Sequence, residues 1–537
     1  MVDLLSIGAG ATQLYRSALT TVSNNIANMN TDGYTRQVAT SEQNTPVLQG
    51  GGYIGSGAHL GNITRAFSEF NESNLRNSSS ELGTQDPMIK YADRIVDVMG
   101  SDTSSLSGAF DQFFSSASSL SSDPASGALR NLFLRDADGL AIRFRELDGQ
   151  LNNIEKETQS EINLKLTSLN ELGKQLYTIN QQLAKKTTLG EQPPNLLDER
   201  DGILRDMADI AKIHVKQNSA GTVEVRLDNE NGTSVVDPLR ATVFSATFDA
   251  AQPGTVGILA NVYGVAGQTN SVTGGSLGGL LNFRSQVLAP TMSGLDALAV
   301  MTTTQVNAIQ TTGVDANGER GTALYDADVA TTGAAGFKLL QTDSSKIAAA
   351  GLLQISANAA NTGGATLSHT QIAAGTATPN FTLNFTTAGG YAIGGAAVAV
   401  NANGVFAYQG INYTVTGTPA NGDSFTIGLN TTGSGDNRNM LLMARLQDKE
   451  TYADGRSMGE GYLDLVRTAG NTSALAKISQ DALQAVKDQA VIAKDKLSGV
   501  SLDQEAAELI RFQQAFQASA QIIQTASKMF DSILGIR

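Results

Sequence analysis

The chain has 537 residues and contains no cysteine, no tryptophan and only three histidines. Without cysteine there is no disulfide, no thiolate nucleophile and no cysteine-ligated metal; an exported protein so composed has nothing to misoxidise. His59, His214 and His369 fall in three separate regions, which gives no convergent set for a metal or a catalytic triad. Charge is scarce at 16 %, and its balance is 37 − 51 = −14. That disfavours nucleic-acid binding, which needs a basic footprint. No run of about 18 apolar residues is present to cross a bilayer. The N-terminus carries Asp3 where a secretory signal has a basic cluster, and its apolar residues are spaced, so these features alone read as cytosolic.

Three stretches resemble sites of chemistry and fail in detail. Asp315, Asn317 and Gly318 start like a calcium loop, but the glycine comes three residues after the aspartate instead of at loop position six. Asp198, Glu199 and Asp201 could be paired acids, yet Arg200 and Arg205 interleave with them as at a salt-bridged helix start. Gly274-Gly275-Ser276-Leu277-Gly278-Gly279 lacks the ending of a phosphate-binding loop and reads as a flexible crossing where backbones approach closely. No catalytic, metal or cofactor residue is assigned; the expectation is a protein that is not an enzyme and carries no cofactor.

What the chain does have is periodicity at its two ends. A stripe through Leu502, Ala506, Leu509, Gln513, Phe516, Ala520, Ile523, Ser527, Phe530 and Leu534 alternates steps of four and three, the seam of a coiled coil. From Phe512 to Ser527 there is no charged residue, so this helix reads as one built to be surrounded. The alternative, a two-helix hairpin inside one subunit, has the same periodicity. At the N-terminus Leu4, Ile7, Ala11, Leu14 and Ala18 form one stripe, and Tyr15, Leu19, Val22, Ile26 and Met29 an adjoining one.

Between the ends, helical spacing runs from Phe67 to Met99, through Phe110, Phe113 and Phe114, and on from Leu129 to Leu183, before Pro193-Pro194. At Ile213 the period changes to two. Gly351 to Thr432 is nearly uncharged and rich in Gly, Ala, Thr and Asn, with alternating strand patterns. The expected fold class is multidomain α+β, with terminal and middle segments as long-helix bundles or coiled coils and all-β outer domains inserted. The expected domains are 1–35 with 500–537 (inner, coiled coil), 36–212 with 280–350 and 433–499 (helical middle), 213–279 (first β) and 351–432 (outer β).

Certain motifs are recognisable. Asn24-Asn25-Ile26-Ala27-Asn28, then Thr31-Asp32-Gly33-Tyr34-Thr35-Arg36-Gln37, resembles the N-terminal signature of the flagellar rod, hook and hook-associated axial protein family. Ser498-Gly499-Val500-Ser501-Leu502-Asp503-Gln504-Glu505, continuing through Phe512 and Phe516 to Met529-Phe530, resembles the C-terminal one. Asn195-Leu196-Leu197-Asp198-Glu199-Arg200-Asp201, the Gly274–Arg284 stretch and Gly435-Asp436-Asn437-Arg438-Asn439 narrow the resemblance to its hook-associated members. The resemblance implies a structural subunit of the hook–filament junction, exported uncleaved through the flagellar type III apparatus and located outside the cell. Implied partners are further copies in a ring, the hook protein, the second junction protein and an export chaperone at the C-terminal segment, with no nucleic acid and no membrane. The alternatives are a rod or hook subunit, or a secreted adhesin. Assembly contacts are expected at Leu14, Leu19, Val22, Ile26, Asn28, Gly33, Tyr34, Leu502, Leu509, Gln513, Phe516, Ile523, Phe530 and Leu534. In an isolated monomer both ends are expected to be disordered for want of neighbours.

Overall fold

The computed structural model describes residues 4–49, 51–100, 105–249, 252, 254–262, 264–370, 372–373, 375–386, 390–431 and 435–534. Its helices are α1 (Leu4–Ala27), α2 (Glu69–Gly83), α3 (Gln85–Gly100), α4 (Leu106–Ser122), α5 (Gly127–Leu183), α6 (Pro194–Ile210), α7 (Gly275–Phe283), α8 (Ala289–Gln310), the single turn α9 (Val329–Thr332), α10 (Arg438–Arg445), α11 (Met458–Ser498) and α12 (Leu502–Leu534). None of the helices, over the described residues, is long and apolar enough to cross a membrane. The fold is α+β, helical at both ends and through the middle, with small antiparallel sheets between.

The chain divides into two units: 1–91 with 157–285 and 472–537, and 92–156 with 286–471. In the first, strands Gln37–Gln43 and Ala58–Arg65 pair antiparallel next to α1. Three-stranded sheets follow, one over 213–236 and one over 243–269. The glycine-rich stretch before Arg284 is ordered helix. Gly275 and Gly279 let it touch backbone: a Cβ on Gly275 would lie 2.3 Å from the carbonyl carbon of Ile210, and one on Gly279 would lie 2.4 Å from the Thr84 oxygen. The close approach foreseen there is real, and it is made by a packed helix that any Cβ would push away.

The second unit is centred on aromatics spaced at helical intervals. Phe113 of α4 lies 5.1 Å from Phe133 of α5, and Phe144 lies 4.5 Å from Phe337. Tyr325 stands 4.6 Å from Phe337 and donates to the Ala137 carbonyl at 2.9 Å, which satisfies its buried hydroxyl. Residues 353–429 build a separate β core. A five-stranded sheet and a three-stranded sheet enclose Leu383, Phe406, Tyr413, Phe425 and Ile427, all buried. Both ends of this insert are tied at one point: Asp436 accepts from the Gly351 amide at 3.2 Å and from Asn430 at 2.8 Å, and Arg438 donates to the Leu353 carbonyl at 2.6 Å. Asn439, buried, donates to the carbonyls of Ile309 and Ala348. The Gly435–Asn439 motif therefore closes the insert and anchors it to α8.

Candidate functional site

The two ends of the chain meet in the first unit. α1 and α12 run antiparallel, with Gly8 against Ile523, Tyr15 beside Phe512 and Asn25 against Glu505. A Cβ on Gly8 would come 2.8 Å from Ile523 Cγ1, so the helices touch there because that residue has no side chain. Tyr15 and Phe512 have ring centroids 6.3 Å apart. Leu14, Ala18 and Val22 are buried on α1, and Glu505, Ser519 and Ala526 on α12.

That set fixes the phase of the seam. The face of α12 turned to α1 runs Glu505, Leu509, Phe512, Phe516, Ser519, Ile523, Ala526, again in steps of four and three. It shares Leu509, Phe516 and Ile523, all half-buried, with the expected stripe. Leu502, Gln513 and Phe530, also in that stripe, are exposed within this chain. The side chain of Leu534 lies outside the described residues. On the N-terminal side Leu14 and Val22 are buried, while Leu19, Ile26, Asn28, Gly33 and Tyr34 are half-buried. The terminal helices therefore form a hairpin-like pair inside the subunit, and one face of α12 remains open.

A polar clamp closes the other end of the pair. Glu505 is 1 % exposed; its carboxylate accepts from Arg36 Nε at 2.8 Å and from Asn25 Nδ2 at 2.9 Å. Burying a charge is costly unless it is paired and hydrogen-bonded, and here it is both. Asn25 uses its whole amide: Nδ2 also donates to the Gln37 carbonyl, and Oδ1 accepts from the Gln37 amide at 2.9 Å and the Tyr34 hydroxyl at 2.8 Å. The Arg36 amide donates to the Ser498 carbonyl at 2.8 Å, joining the first strand to the break between α11 and α12. Burial, then the nearby Asp198 and Glu505 charges, push the Tyr34 phenol up to about 12, against the opposing bond from Asn24. It stays protonated and remains a donor to Asn25.

The turn that feeds this clamp needs a left-handed residue, and Gly33 supplies it at φ +76°. Asn28 steadies the end of α1 by donating to Asn24 and accepting from Thr31. The next element in is α6. Asp198 Oδ2 accepts from the Thr35 amide at 3.3 Å, and Arg65 Nη1 donates to Asp198 at 2.7 Å and Asp201 at 2.8 Å. Arg200 lies against Asp201 at 2.6 Å, and Arg205 reaches Glu72 at 3.1 Å. Asp198 and Asp201 are thus salt-bridged, Asp198 by Arg65 across elements and Asp201 by both Arg65 and its neighbour Arg200. Within the described residues no group of three or more histidines or acids is placed to hold a metal. The arrangement is suited to holding helices in register.

Arg36, Asn25, Glu505 and Arg65 were absent from the expected contact set. A signal for two of them existed: Arg36 and Glu505 are opposite charges inside the two otherwise sparsely charged terminal signatures.

Comparison with known proteins adds the following. Residues 92–325 match the family described as "Flagellar hook-associated protein FlgK helical domain". Residues 5–35 match "Flagella basal body rod protein", and residues 496–536 match "Flagellar basal body rod FlgEFG protein C-terminal". The chain is 29 % identical over 582 residues to flagellar hook-associated protein 1 of Escherichia coli (strain K12), with 100 % of both chains covered. It is 22 % identical over 551 residues to the protein of that name in Bacillus subtilis (strain 168), covering 97 % of this chain and 95 % of the relative. Among solved structures, the flagellar hook junction protein FlgK from Burkholderia pseudomallei superposes with a TM-score of 0.68 at 22 % identity, over 79 % of this chain and 99 % of that one.

Proposed function

We infer that the chain belongs to the flagellar hook-associated protein 1 family and is a structural subunit of the hook–filament junction, required for the filament to assemble on the hook. The observation that carries the reading is the clamp. Asn25 and Arg36 of the N-terminal signature close on Glu505 of the C-terminal one, so the two segments shared with other axial proteins act as one module. Copies of this module, residues 1–35 with 500–537, pack into an inner tube, and the copies close into a ring. The hook protein lies on one side of the ring and the second junction protein on the other. The fully buried apolar side chains of the described helix pair are Leu14, Ala18, Val22 and Ala526, a thin core that gains order from neighbouring copies. During export without a cleaved signal, a chaperone covers the C-terminal segment. The role is mechanical, with no catalysis and no nucleic-acid or membrane partner.

Shearing flagella from motile cells tests this placement. The protein is expected in the fraction that retains hook and filament base. An even distribution over the cell surface favours the adhesin reading and contradicts this one.

The inserted β domain at 351–432 is peripheral to assembly in this reading. The insert gives a direct prediction, since Asn430 donates to the Gly351 carbonyl at 3.1 Å and its two ends already touch. Deleting 353–429 with a short glycine link is expected to leave export and filament number within about twofold of the parent, by immunoblot and electron microscopy. A stably folded deletion protein that yields no filaments would place this insert in the assembly path.

A further inference from the structure

Between Gln43 and Ala58 the chain carries no charge, and its middle is a small arm. Strands Val47–Gln49 and Gly52–Ile54 pair antiparallel, Val47 opposite Ile54 and Leu48 opposite Tyr53. Each face of the arm therefore bears one apolar cross-strand pair. These four side chains are 45 %, 46 %, 63 % and 78 % exposed, in that order. Its root is fixed: the Asn44 amide donates to the Gly57 carbonyl at 2.9 Å, and a Cβ on Gly57 would stand 3.2 Å from Ile7 of α1. The arm beyond the root is left uncovered by the described residues of its own unit. A two-stranded hairpin this short is marginal in water, and apolar residues on both faces mark a contact surface.

Charge and placement together point to one occupant. Each copy has a net charge of −14, so copies repel except where they meet through uncharged faces. The arm is one such face. Another, within the same terminal module, is the open side of α12, where Gln513, Gln517, Gln521 and Ile522 are exposed in a stretch free of charge from Phe512 to Ser527. The arm root packs on α1, the helix partner of α12, so both faces belong to the terminal module. We propose that the Val47–Ile54 arm of one copy docks on the open face of α12 of the next copy, as a strap between subunits. This rests on the ring of copies inferred above.

The absence of cysteine makes the test clean. Two full-length single variants, Tyr53→Cys and Gln517→Cys, are co-expressed in a motile strain, and sheared flagella are oxidised mildly. The expected result is a disulfide-linked dimer, reversed by reductant and missing when either variant is expressed alone. Leu48→Cys with Gln513→Cys serves as a second pair. If both pairs support normal filaments and only monomer appears, the strap is absent. A double variant that gives an intrachain link alone also overturns it, because the arm then lies on its own helix. Absence of the protein from the flagellar fraction overturns the ring reading beneath it, and the strap with that reading.

Discussion

Ile523→Asp is expected to leave cells with hooks and no filaments, and to unpair the terminal helices of the purified protein without shifting the melting of the second unit. Ile523 packs where Gly8 lets α1 approach, so its side chain lies directly against the facing helix. A carboxylate there, half-buried and unpaired, costs several kcal/mol or forces the helices apart. The second unit contains neither helix, so its transition stays in place. Circular dichroism and limited proteolysis read the unpairing: α1 and α12 are expected to be cut within the time that leaves 92–156 and 286–471 intact. Wild-type helicity together with normal filaments would remove Ile523 from the seam. The sequence alone leaves open whether this residue packs within the subunit or against other copies; its contact with Gly8 places it inside the subunit.

Glu505→Ala is the second large effect. Removing the carboxylate leaves Arg36 Nε and Asn25 Nδ2 without the acceptor that both use. Breaking one partner of a buried ion pair costs about 3–5 kcal/mol, more than a thin two-helix core can absorb. Glu505→Gln retains the shape and one acceptor oxygen, so it is expected to lose less. Arg36→Ala should resemble Glu505→Ala, and the double variant should be no worse than either single one, the mark of a shared interaction. The readouts are amide exchange in α12 and filament number per cell. Additive losses in the double variant would show that the two residues act separately.

Much of the helical framework was legible because it rests on local periodicity. The aromatic spacing of Phe110, Phe113 and Phe114 foretold the core they form, whereas the helical run ends at Leu183, before the Pro193-Pro194 pair expected to break it, and α6 begins at Pro194. The change of period at Ile213 coincides with the first strand of its sheet. The phase of α12 was not legible. Leu509, Phe516 and Ile523 belong to two seams at once, and the one used inside the subunit includes Glu505 and Ser519, which hydrophobicity scores as outward. Burial of Glu505 depends on Arg36, 469 positions away, and burial of Asp201 on Arg65 as well as on its neighbour Arg200. Neither pairing leaves a periodic trace. Phe70 shows the opposite failure: its spacing reads as core, yet it lies exposed on α2. Apolar spacing reports a stripe but says nothing of whether the chain itself covers it.

Electron microscopy of a clean in-frame deletion strain decides whether this subunit joins hook to filament. The account predicts hooks of normal length with bare ends, flagellin released into the medium, and filaments restored when the gene is returned. Filaments of normal number on the deletion strain would contradict it.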